Sequence, residues 1–129
     1  MGQQQLLLII LGVIIVGIAI AVGITMFASS SIQSNKDALI NDLNNLAANA
    51  YQFRIRPTTM GGGGGSYTGG NGYVVPTKLA SDDNGTFTRT NAAQAVTFIA
   101  TSSQGYGTVT AVCDSTGRLG SFTYTGDFQ

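Results

Sequence analysis

Residues 6–27, LLLIILGVIIVGIAIAVGITMF, hold twenty-two positions without a charge or a proline. An apolar run of about 20 residues is long enough to cross a bilayer as a helix. After Ser29 the pattern changes without breaking. Ile32, Leu39, Leu43, Leu46, Ala50 and Phe53 follow at gaps of seven, four, three, four and three, which lays one apolar stripe along a helix. Lys36, Asp37, Asn41, Asp42, Asn44 and Asn45 fill the other face. The spacing therefore predicts one helix, apolar all round over 1–28 and amphipathic over 29–55. It should stop near Arg54, because Arg56 precedes Pro57 and is pushed towards extended geometry. Arg54 in the last turn also suits the negative end of the helix dipole. Such a helix would be roughly 75 Å long at about 1.5 Å per residue. A chain of 129 residues cannot bury it alone. Lipid, or further copies of the chain, must cover its first half.

Residues 56–72, RPTTMGGGGGSYTGGNG, carry eight glycines in seventeen positions. No Gly-Lys-Ser/Thr follows a Gly-x4 spacing, so this is not a phosphate loop. It reads either as a flexible linker or as an ordered loop that lets backbone approach backbone, and the ordered form is expected. Residues 73–129 then read as a β head. Tyr73–Pro76 is a short extended segment, 78–82 a helical turn, and Asp83-Asn84-Gly85 a tight turn. Four strands are expected at 86–90, 94–101, 107–113 and 118–124, separated at hairpin spacing. Phe87, Val96, Phe98, Val109, Val112, Leu119 and Phe122 supply one apolar face. The predicted fold class is α+β: a long N-terminal helix whose second half packs on a small antiparallel sheet.

Composition narrows the chemistry. Net charge is zero and 9% of residues are charged, so no basic field is present to hold nucleic acid. Histidine and glutamate are absent and the one cysteine is Cys113, which leaves no Cys-His or Ser-His nucleophile system, no zinc cluster and no internal disulfide. An enzyme is not expected, and neither is a cofactor or a metal. Asp82-Asp83-Asn84-Gly85 lacks the alternating ligands of a calcium loop and reads as a turn. Asn84-Gly85-Thr86 fits the N-glycosylation sequon, which marks Asn84 as a candidate only if the head lies outside the cell. The abundant Thr and Ser would also accept O-linked sugars. Tyr51, Phe53, Tyr67 and Tyr73 read as core packing. No Lys or Arg precedes the apolar run and Ala28-Ser29-Ser30 is a weak cleavage site, so the apolar helix is expected to be retained. Gly12, Gly17 and Gly23 interrupt it at gaps of five and six, with no GxxxG. They are either ordinary membrane-helix glycines or points of close helix approach or local unwinding.

This layout resembles type IV pilins, and QQQLLLIILGVIIVGIAIAVGITMF followed by NDLNNLAANA is similar to bacterial pilin-like proteins. The resemblance implies a structural subunit, membrane-inserted before assembly and polymerised by the pilus assembly machinery into a homo-oligomeric extracellular filament. Leu6, Leu7, Leu8, Ile9, Ile10, Leu11, Val13, Ile14, Ile15, Val16, Ile18, Ile20, Val22, Ile24 and Phe27 would form the filament core. Ile32, Leu39, Leu43, Leu46, Ala50 and Phe53 would pack the helix on its head. The departures are specific. Bacterial type IV pilins usually carry a glutamate at the fifth mature residue; here that place is Gln5, or Leu7 after a cut behind Gly2. The mid-helix proline is missing too, a lone Cys113 allows no C-terminal disulfide loop, and no Lys or Arg stands before the apolar run: either the numbering begins at a mature terminus or processing is not of the usual kind. The alternative is a bitopic membrane protein, either a minor pseudopilin or a small binding domain, that forms no long filament.

Overall fold

The computed structural model describes residues 2–129. Helix α1 runs Gly2–Ile55, ending one residue beyond Arg54. A 3-10 turn at Thr58–Met60 and the four-residue helix α2 (Thr77–Ala80) precede strands β1 (Gly85–Ala92), β2 (Ala95–Ser102), β3 (Thr108–Cys113) and β4 (Leu119–Tyr124). A second 3-10 turn, Gly126–Phe128, closes the chain. The strands form one antiparallel sheet in the order β1-β2-β3-β4, so the fold is α+β with a meander. Two compact units are distinguished, one ending at Gln33 and the other covering Ser34–Gln129. Tyr73–Pro76 belongs to no strand.

Within the second unit, the stripe on α1 supplies Leu39, Leu43, Leu46, Ala47 and Ala50 to the core. The sheet supplies Phe87, Val96, Phe98, Ala100, Val109, Ala111 and Cys113. Each buried leucine or phenylalanine contributes about 1.5–3 kcal/mol. Side chains of a strand alternate between its two faces. Val109 and Val112 are three apart and so cannot share one: Val109 is buried, whereas Ala111 and Cys113, not Val112, continue its face. At β4 the register shifts between Thr110 and Val112, and Ser121 adopts a left-handed φ of 53°. This irregularity bends an edge strand, as bulges do. Leu119 is left half-buried and Phe122 exposed, with the Phe122 ring stacked on Tyr124 at 6.4 Å.

The glycine-rich loop is ordered, and it caps its own helix. The last carbonyls of an α-helix lack intrahelical partners. Here Gly63 N–H donates to the Phe53 carbonyl (2.8 Å), Gly64 N–H to Arg56 (2.9 Å) and Gly65 N–H to Arg54 (2.7 Å). Side chains are excluded because the backbone folds onto itself. A methyl at Gly63 would be driven into the Ser66 carbonyl oxygen, and one at Gly69 into that of Gly63. The Arg54 side chain does not cap the helix; its Nη2 donates to Gln94 Oε1 (2.9 Å). Tyr67 anchors the far end of the loop. It is fully buried and donates its hydroxyl to the Asp114 carbonyl (2.5 Å), while burial, first of all, raises the pKa of its phenol.

A polar ladder runs beside the apolar stripe. Asn35, Asp42 and Asn49 are seven residues apart, hence on one flank of α1. Asn35 Nδ2 donates to the Asn84 carbonyl (3.2 Å) and Asn35 Oδ1 accepts from Ser102 Oγ (2.6 Å). Asp42 Oδ2 accepts from Asn84 Nδ2 (3.1 Å), and Asn49 Oδ1 accepts from the Tyr73 hydroxyl (2.8 Å). Burial pushes that phenol up to about 12. A Tyr73→Phe chain should lose about 0.5–1.5 kcal/mol, towards the low end because half-buried Asn49 can turn to water. Denaturant titration of the full chain in detergent would measure it, and an unchanged midpoint would remove the bond from the account.

Burial, then contact with the Asp82 carboxyl, raises the pKa of Asp42. A carboxylate raised in the folded state contributes stability that is full below its unfolded value and lost as pH rises through the folded one. The head should therefore grow more stable as pH falls through the raised Asp42 value towards 3.8. Below about 3.8 the trend should reverse. There Asp114 protonates, having been held low by the Thr116 hydroxyl and the N–H groups of Arg118 and Thr116. An Asp42→Asn chain should lose the upper part of this dependence. Melting temperatures between pH 7 and pH 4 would show it, and equal slopes in the two chains would refute the assignment.

Candidate assembly surface

The residues proposed for assembly lie on the first unit, where the sequence leaves no polar face for water. From Leu6 to Phe27 every large apolar side chain remains 52–74% exposed. Burying each such side chain contributes about 1.5–3 kcal/mol, so the strip carries on the order of 20–40 kcal/mol of unused transfer free energy. The helix is long and apolar enough to cross a membrane, and none of its most apolar window is buried within the chain. A helix apolar all round is a membrane span or the core of something larger.

Its surface has relief. One shallow groove of about 320 Å³ lies along Gln4, Leu7, Leu8 and Leu11. Another, of about 520 Å³, lies along Ile9, Gly12, Val13, Val16, Gly17 and Ile20. A methyl added at Gly12, Gly17 or Gly23 would meet no atom within 4 Å. Nothing inside the chain therefore requires glycine there, although each costs about 1 kcal/mol relative to alanine in a helix interior. Gly12 and Gly17 share the larger groove and Gly23 does not.

The second unit places the remaining candidates. Leu39, Leu43, Leu46 and Ala50 are buried, Phe53 and Ile32 half-buried. Phe53 and Tyr73 rings sit 5.7 Å apart, and Tyr73 meets Phe98 edge-on at 6.2 Å, both ordinary aromatic packing distances. Asn84 is half-buried, and its Nδ2, the atom a glycan would take, is committed to Asp42. Asp82 Oδ1 closes the 82–85 turn by accepting from the N–H groups of Asn84 (2.9 Å) and Gly85 (3.0 Å).

Reactive chemistry has little to work with among the described residues. Cys113 is buried, with its thiol pushed up chiefly by that burial, and its Sγ lies 3.4 Å from the Tyr67 hydroxyl. No group of three or more His, Cys, Asp or Glu that could hold a metal occurs among the described residues. An open pocket of about 330 Å³ beside the glycine loop is lined by Phe53, Thr58, Gly61, Gly62, Gly70, Asn71 and Gly72, without a titratable side chain. Sequence reasoning missed the polar ladder of Asn35, Asp42 and Asn49. Their heptad spacing was the available signal. No protein-family model, no curated protein and no solved structure matches this chain.

Proposed function

We propose that this chain is the structural subunit of an extracellular filament of the type IV pilus kind, polymerised through its apolar N-terminal helix. One observation carries the reading: an all-round apolar surface over residues 6–27, left exposed on a helix that continues into the core of a small head. Before assembly the strip would sit in the inner membrane, since twenty-two residues at about 1.5 Å each match a hydrocarbon core of about 30 Å. The pilus assembly machinery would then move it from lipid into a bundle of identical helices. Between helices the gain comes from close packing rather than from the hydrophobic effect. The grooved flank with Gly12 and Gly17 suits such packing. No carboxylate is present in the first turn of α1, so the bundle would be held without a buried N-terminal ion pair.

The second reading is a bitopic pseudopilin or anchored binding domain, favoured by the match of the strip to one bilayer crossing. Shearing cells that make the chain and imaging the supernatant separates the two. Filaments that react with antibody against the head support polymerisation. Chain found only as detergent-extracted monomer in the membrane fraction would sink it.

A further inference from the structure

The six acidic and six basic side chains of this protein cancel in number but not in place. Hydrogen bonds within the second unit map two ends of the head. At one end Asn35 and Asp42 hold Asn84, and Ser103 Oγ donates to the Asp83 carbonyl (2.7 Å). Ser102, bonded to Asn35, donates its N–H to Gly107, and Asp127 N–H donates to the neighbouring Tyr106 carbonyl. This end collects Asp37, Asp42, Asp82, Asp83 and Asp127 against Lys36, a formal charge of −4. At the other end Arg54 Nη2 meets Gln94, the Tyr67 hydroxyl meets Asp114, and Gly117 backs onto the Tyr51 ring. Here Arg54, Arg56 and Arg118 stand against Asp114 alone, a formal charge of +2. Ten of the twelve charged side chains thus lie at the two ends, leaving Lys78 and Arg89 between them. Solubility is served by mixing both signs over a surface. This head separates them instead. Seventeen residues of α1 divide Asp37 from Arg54, about 25 Å at about 1.5 Å per residue. That is several times a Debye length of about 8 Å, so the ends act as distinct patches.

We propose that the two ends form one contact between copies of this chain, the acidic end of one head seated on the basic end of another. The inference rests on the filament reading above. Asp83, Asp127 and Arg56 are exposed, and among the described residues their charged groups make no hydrogen bond or ion pair. Joining opposite ends uses two different patches, so the contact is heterologous, and such a contact propagates into a filament when it does not close. An antiparallel pair would match the same charges but run its two α1 helices in opposite directions, which anchoring in one membrane forbids. Copies standing level in that membrane set like ends side by side, which disfavours lateral pairing. A shift of about 25 Å along the helix brings opposite ends together. Exposed charge pairs add little affinity, but they fix register and exclude wrong partners. The apolar strip has no such landmark, since no carboxylate stands in the first turn of α1. The strip holds the copies together, and the charges on the head decide where they stop.

The test uses the full chain in cells that make it, scored by filaments in the sheared fraction. A chain carrying Arg56→Glu and Arg118→Glu sets like charges at the contact and should lose about tenfold or more in filament yield. Both side chains are exposed, so its abundance in the membrane fraction should match that of the parent. A chain carrying Arg56→Lys and Arg118→Lys keeps the charge and should assemble. Carbodiimide treatment of its filaments should join the introduced lysines to Asp83 or Asp127 of a neighbouring copy, in a ladder that runs beyond the dimer. The two ends of one head lie too far apart for that bond to form within a chain. Parental filament yield from the glutamate chain, or cross-links that are absent or stop at the dimer, overturn the proposal. A parent chain that makes no filaments sinks the filament reading itself, whereas filaments without the cross-link sink the contact alone.

Discussion

An Ile15→Asp chain is expected to yield no filaments in the sheared fraction, and Ile18→Asp the same. Both side chains are more than half exposed on the apolar strip, at 57% and 60%, with no polar neighbour in the surrounding turns to pair with a carboxylate. A charge at the centre of a membrane helix costs at least about 2.5–3.5 kcal/mol. In a bundle of identical helices the penalty recurs in every subunit, so assembly should fail outright rather than weaken. Ile15→Leu keeps volume and hydrophobicity and should assemble normally. Membrane-fraction abundance, measured alongside, separates failed insertion from failed polymerisation. Normal filaments from Ile15→Asp would show that this position faces neither lipid nor a neighbouring helix.

The largest effect expected on the head itself comes from Gly63→Ala. The added methyl collides with the Ser66 carbonyl oxygen and also reaches the Phe53 ring. Neither atom is the free end of a flexible side chain. Relief requires the loop to lift, which releases the Gly63 and Gly65 N–H bonds from the Phe53 and Arg54 carbonyls. Overpacking costs about 1–3 kcal/mol, occasionally more, and the stripped carbonyls place this change at the upper end. A domain of about 100 residues loses roughly 4–8 °C per kcal/mol, so a fall of about 10–20 °C in melting temperature is expected. Gly61→Ala is the comparison. It meets no atom within 4 Å, but its φ of 80° is left-handed, so only the modest strain of a side chain in that conformation applies. Equal melting temperatures for the two variants would mean that the loop does not brace the helix.

Much of the architecture was legible because periodicity carries it. The helix bounds, the buried Leu39, Leu43, Leu46 and Ala50, and four strands displaced by no more than two residues at any end all follow from spacing. Two kinds of detail did not. Val112 was assigned to the core face on hydrophobicity, though strand parity already forbade it once Val109 was inside. The polar ladder escaped because Asp42 was read as part of a solvated face, and Asn35 and Asn49 were given no role at all. Their partners, Asn84, Ser102 and Tyr73, lie 24–67 residues away in sequence. A hydrogen bond to a distant residue leaves no local pattern. The apolar strip was the plainest feature of all, yet what covers it depends on molecules outside the chain.

The capping loop has one more consequence, for how the gene can change. Runs of glycine codons are prone to gain or lose a unit during copying, and a flexible tether would absorb such slips unnoticed. Here Gly63, Gly64 and Gly65 each meet an assigned carbonyl, and Tyr67 must land in its buried seat two residues later. A sixth glycine, or only four, would put every one of those partners out of step. The stretch that looks most repetitive in this protein is therefore the one whose length should tolerate the least drift.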